Sequence, residues 1–164
     1  MTTSVNLTSP ITLLENITSA DAGVTGETFD FGGRFLRDIA FVVIPSDDST
    51  IASGADVNAW LAIVEISFGG TFSQVNGGRD DHPRGWDRIQ FATIPWENEG
   101  DFDYSAPLRQ IVYTATDGYI GEPGEDPMGI PIPFIRAFTL ETGTGGAGFP
   151  LTGGSFTLKM YWRE

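Results

Sequence analysis

The chain has 164 residues and a formal net charge of −13, with 22 Asp and Glu against 9 Lys and Arg, one His and no Cys. This length fits one domain, and the composition excludes disulfides, thiolate zinc sites and any metal site needing two histidines from one chain. The acid surplus argues against a nucleic-acid surface, which needs clustered Lys and Arg.

Residues 1–10 hold no acidic or basic side chain and read as a candidate extended arm, able to reach a neighbouring subunit by strand addition. They lack the basic start and apolar stretch of a signal peptide, and no run of about 18 apolar residues follows that could span a membrane. The sequons at Asn6 and Asn16 are accordingly expected to be chance matches. A single β-sandwich domain is expected over residues 11–164. Short strands are predicted at 11–14 and 27–31. Residues 35–44 are apolar at both parities and predict a central strand. A polar connection over 45–58 holds Asp47, Asp48 and Asp56. Residues 59–68 alternate, with Trp60, Ala62, Val64, Ile66 and Phe68 on one face and Leu61, Ile63, Glu65 and Ser67 on the other. Gly69-Gly70 then suits a hairpin turn into a strand over 71–75. Further strands are predicted at 88–94, 110–116 and 132–140, separated by long connections at 76–87, 95–107 and 117–131. Pro123, Pro127, Pro131 and Pro133 are read as excluding their positions from central strands. The clearest strand is the last, where Phe156, Leu158, Met160 and Trp162 alternate with Thr157, Lys159, Tyr161 and Arg163. No segment shows helical apolar spacing. The pattern is all-β, a sandwich or barrel with long loops.

Two segments carry a resemblance. Residues 60–67 (WLAIVEIS) followed by Gly69-Gly70-Thr71-Phe72, and residues 134–140 (FIRAFTL) before a glycine-rich loop and a final alternating strand, resemble the small jelly-roll structural proteins of tailed-phage virions. Those are head decoration (cement) or tail accessory proteins. The resemblance implies a jelly-roll-like β-sandwich of two antiparallel sheets. It implies a non-enzymatic component of the external virion surface, assembled in the host cytoplasm and often trimeric. Its partners would be capsid or tail proteins of the same virion, with no nucleic acid and no membrane. Related hairpins occur in carbohydrate-binding jelly rolls, so a carbohydrate-binding module or adhesin of a tail fibre or baseplate is the alternative. Phe68-Gly69-Gly70 stands where the sugar-binding pattern usually has an aspartate before the turn glycine.

The contact residues expected for a virion role are Arg79, Arg84, Trp86, Trp96, Phe102 and Tyr104, in or beside polar loops. Arg and aromatic side chains are enriched in protein interfaces, although these aromatics also suit capping of the sandwich ends. His82, between Asp81 and Pro83, reads as a solvated loop residue, since no Ser or Cys nucleophile motif accompanies it. Asp47 with Asp48, Asp101 with Asp103, and Glu122 with Glu125 and Asp126 are the candidate calcium ligands. None has the spacing of a calcium-binding loop, so no metal or cofactor is expected. Glu65 reads either as the carboxylate of a small glycosidase or as a charge at a sheet edge or paired with arginine, with the latter favoured.

Overall fold

The computed structural model describes residues 2–4, 10–51, 60–67, 72, 89–96, 111–114, 130–141 and 148–163. Within them the chain is all-β, without helix. The strands are β1 (Thr2–Ser4), β2 (Ile11–Thr18), β3 (Thr28–Pro45), β4 (Thr50–Ile51), β5 (Trp60–Ser67), β6 (Ile89–Pro95), β7 (Ile111–Thr114), β8 (Ile130–Phe138), β9 (Leu151–Gly153) and β10 (Ser155–Arg163). One sheet follows the path β2-β10-β3-β8-β5-β6, with β1 and β7 also pairing β3, while β4 and β9 form a separate pair. All pairings are antiparallel except β1 with β3, which places Thr2–Ser4 beside residues 28–30 of the same chain.

Alternation in the sequence becomes sidedness in the sheet. On β10, Phe156, Leu158 and Met160 are buried, whereas Thr157 and Lys159 are half-buried and Tyr161 is exposed. β5 differs: Leu61, Ala62, Val64, Glu65, Ile66 and Ser67 are all buried, so both of its faces are covered. Edge-to-face contacts join Phe31 to Trp162 on the paired strands β3 and β10, and Phe41 to Phe91 on β3 and β6, which do not pair with each other. Burying each such aromatic or aliphatic side chain contributes about 1.5–3 kcal/mol.

The two strands predicted at 27–31 and 35–44 are one. β3 runs through Gly32-Gly33, both with positive φ (64° and 73°), a conformation that glycine adopts without steric cost. Its pairing with β8 passes from Asp30–Phe134 to Arg34–Ile132, so β3 carries a two-residue bulge. The Asp30 carboxylate fixes this turn by accepting the Gly32 N–H at 2.8 Å.

Pro131 and Pro133 lie in β8, which has neighbours on both sides in the sheet order, contrary to the sequence expectation. The reason is local. Pro133 falls between the two β8 residues that face the ends of the β3 bulge, where the ladder is already interrupted. Pro131 sits opposite Phe35, and β5 begins to pair β8 only at Phe134. Among the described residues, then, neither proline sits where β8 is paired on both sides. The connection over 45–58 and the glycine-rich stretch near 148–154 hold one short strand each, β4 and β9. Pro123, Pro127 and the 71–75 strand lie outside the described residues, apart from Phe72, which is not in a strand.

Two turns are laced to distant strands. Ser49 is buried and donates to the Ser155 carbonyl at 2.5 Å, while the Ser155 N–H donates to Ser46 Oγ at 2.9 Å. Gly154 completes this join at φ 65°, and a Cβ there would lie 2.6 Å from Ser49 backbone atoms. After β2, the Asp21 carboxylate accepts the Thr18 N–H and hydroxyl at 2.8 and 2.7 Å. Thr139, 1% exposed, donates to the Asp21 carbonyl and accepts the Val24 N–H.

These contacts give two predictions. Gly32→Ala meets no atom within 4 Å and should cost only the left-handed backbone penalty, about 1–2 kcal/mol. Gly154→Ala adds a backbone collision and should lose clearly more, read as the larger drop in urea midpoint. The backbone and hydroxyl hydrogen bonds from Thr18 lower the Asp21 pKa. A depressed folded-state pKa contributes stability above the unfolded value and loses it as pH falls through the folded one. The acid limb of thermal stability should therefore flatten in Asp21→Asn, measured by melting from neutral pH to below the ordinary aspartate range.

Candidate functional site

Of the six expected contact residues, Trp96 is described. It is 6% exposed and belongs to the apolar core just past β6. That burial sets its side chain within the core. Arg79, Arg84, Trp86, Phe102 and Tyr104 lie outside the described residues, as do His82 and the acidic pairs after residue 100. Asp47 and Asp48 are exposed in the turn after β3, where Asp48 accepts the Ser46 hydroxyl at 2.7 Å.

The structure does assemble a charged centre on the two strands that carry the sequence resemblance. β5 lies between β6 and β8, and Glu65 stands in register with Gln90 on one side and Arg136 on the other. Arg136 Nε donates to Glu65 Oε1 at 2.6 Å, a charge-assisted contact. The Glu65 side chain is 1% exposed and that of Arg136 is 23% exposed. The guanidinium carbon lies 4.1 Å from the centroid of the Phe72 ring, a cation–π geometry. The carboxylate is thus enclosed and held by its cross-strand cation, and the arginine is the partner that reaches solvent.

Of the two sequence readings of Glu65, this is the pairing with arginine. The partner was not foreseen. The usable signal was one charge in each of two otherwise apolar strands, which a register would have joined.

A second feature is an open groove of about 530 Å³ between β2 and residues 24–29. Leu14, Ile17 and Val24 supply apolar lining, and Glu15 and Glu27 supply carboxylates. β2 is the terminal strand of the sheet path, so the groove follows a sheet margin. It is built from a strand and a turn, and no contiguous motif marks it. Gly26 shapes its floor, because a Cβ there would strike the Leu13 carbonyl.

Compared with known proteins, the chain matches no family model, no curated protein and no solved structure.

Removing one partner of a buried ion pair strands the other charge, at about 3–5 kcal/mol. Arg136→Met should therefore destabilise by that order, and Glu65→Leu with Arg136→Met should recover part of the loss. A double-mutant cycle from urea unfolding measures this, with a coupling above about 1 kcal/mol expected for residues in direct contact.

Proposed function

We propose that this chain is a non-enzymatic structural component of a tailed-phage virion, an outer capsid decoration protein that stabilises the capsid through protein–protein contacts. The observation that carries the reading is the adjacency of β5 and β8. The two segments with the virion-protein resemblance pair directly, from Ile63–Phe138 to Ser67–Phe134, and share the Glu65–Arg136 contact. A cross-strand pair of this kind fixes register, the need of a protein whose function is shape.

The finer architecture we propose is a jelly-roll-like sandwich of two antiparallel sheets. Phe41 on β3 and Phe91 on β6 support it. They are three steps apart in the sheet path, roughly 14 Å in a flat sheet, yet their ring centroids lie 6.1 Å apart. The path must fold over for these rings to meet. The acidic surface also suits an external position, away from packaged DNA. Partners on this reading are capsid or tail proteins and further copies of the chain.

Cosedimentation with purified heads of the encoding virus tests the proposal. Saturable binding, with heads made more resistant to heat or chelator, is expected. A chain that leaves heads unbound and instead binds sugars at millimolar or tighter affinity on a glycan array would replace this reading with the carbohydrate-binding one.

A further inference from the structure

Exposed large apolar side chains among the described residues are Val24, Phe35, Ile44 and Tyr161. Three of these four lie on β3 and β10, which pair over residues 37–45 and 156–163. Concentration on two paired strands distinguishes a patch from the scatter normal for a soluble surface.

The outward row of β10 is Thr157, Lys159, Tyr161 and Arg163, and beside it on β3 stand Ile44, Val42, Ala40 and Arg37. The register pairs Thr157 with Ile44, Lys159 with Val42, Tyr161 with Ala40, and Arg163 with Arg37. Ile44 is 39% and Tyr161 41% exposed, with Ala40 and Val42 half-buried between them. Phe35, 56% exposed, lies further along the same strand. Apolar residues at both parities of β3 mark a strand that expects cover on both sides, and among the described residues Phe35 and Ile44 stand exposed on it.

The charge of the patch is opposite to that of the molecule. The described cations are Arg34, Arg37, Arg136, Lys159 and Arg163, and all but Arg136 are on β3 and β10. Among the described side chains, the Asp30 carboxylate on β3 caps Gly32, and Glu15 stands on β2, the other neighbour of β10. Asp47, Asp48, Glu27 and Glu141 are exposed outside β3 and β10.

We propose that the outward β3–β10 face is an interface that receives the acidic surface of a second copy of this chain. A face-to-face dimer would set Lys159, Arg37 and Arg163 against their own copies, like charge on like. A head-to-tail contact sets the cations against carboxylates, which the chain has in excess by 13. The contact is therefore heterologous, the type that forms a ring where its rotation closes and a filament where it does not. Tyr161, Ile44 and Phe35 are its apolar anchors, and Lys159 and Arg37 fix its register. The inference rests on the self-assembly part of the proposed function and is independent of any virion.

Lys159 is the only lysine in the sequence, so crosslinks from its side chain are told by mass spectrometry from those of the N-terminal amine. The full chain, as a mixture of ordinary and ¹⁵N-labelled protein at about 0.15 M salt, is examined by sedimentation equilibrium and by zero-length amine–carboxylate crosslinking with mass spectrometry. The expected result is an oligomer with label-mixed crosslinks from Lys159 to Asp or Glu. Lys159→Glu and Ile44→Thr should each weaken association at least tenfold while far-UV circular dichroism and melting stay near wild type. A monomeric wild-type chain at 100 μM overturns both this inference and the self-assembly it rests on. An oligomer that both variants leave intact, or that crosslinks without Lys159, overturns the interface alone.

Discussion

An 18-residue strand at about 3.3 Å per residue would be roughly 60 Å long if straight. A compact domain of 164 residues has a radius of gyration near 15 Å, so β3 cannot run straight through it. Gly32 and Gly33 relieve this constraint. Their positive φ angles insert two residues against β8 and bend the strand while its pairing resumes on the far side. Before the bulge β3 is held by β1 and β8, and toward its far end by β10 and β7. Both groups of strands take their register from one backbone. The placement of the Glu65–Arg136 centre follows, because Arg136 lies on β8 only a few residues past the segment that β3 holds.

Legibility in the sequence followed how local each determinant was. β10 was plain because the period-two pattern from Phe156 to Arg163 is complete within one segment, and β5 was plain for the same reason. β3 was divided because a glycine pair reads as a turn, and only the cross-strand register distinguishes a turn from a bulge. The prolines of β8 misled similarly. Proline forbids a ladder bond, but it excludes a central strand only where both neighbours pair with it, and among the described residues neither Pro131 nor Pro133 is paired on both sides. The pairing of Glu65 with an arginine was foreseen as a type of contact, but its partner is 71 residues away.

The centre between β5 and β8 also bears on what kind of protein this is. Burying a carboxylate and a guanidinium costs desolvation that their attraction only partly returns, so such a pair is weak evidence for stability as such. Its effect is on alternatives. A slip of β8 against β5 by one residue would turn Arg136 to the opposite face and leave Glu65 enclosed without this cation. In a sheet whose central strands are apolar on both faces, hydrophobic burial alone discriminates poorly between registers, and the charged pair supplies the missing discrimination.

The net charge of −13 and the self-association proposed for the β3–β10 face are compatible because they act over different distances. Repulsion between whole molecules is carried by charges well apart, and at about 0.15 M salt the screening length is near 8 Å. Contacts between Lys159 or Arg37 and a facing carboxylate act inside that length and are desolvated by Tyr161 and Ile44 beside them. The acid surplus thus opposes random aggregation of exposed strand margins. It leaves open the orientation that brings the cationic sheet face against an acidic surface. An excess of acid distributed evenly would give only repulsion. Here four of the described cations stand on two strands, and the charge of the chain becomes a rule for how copies can meet.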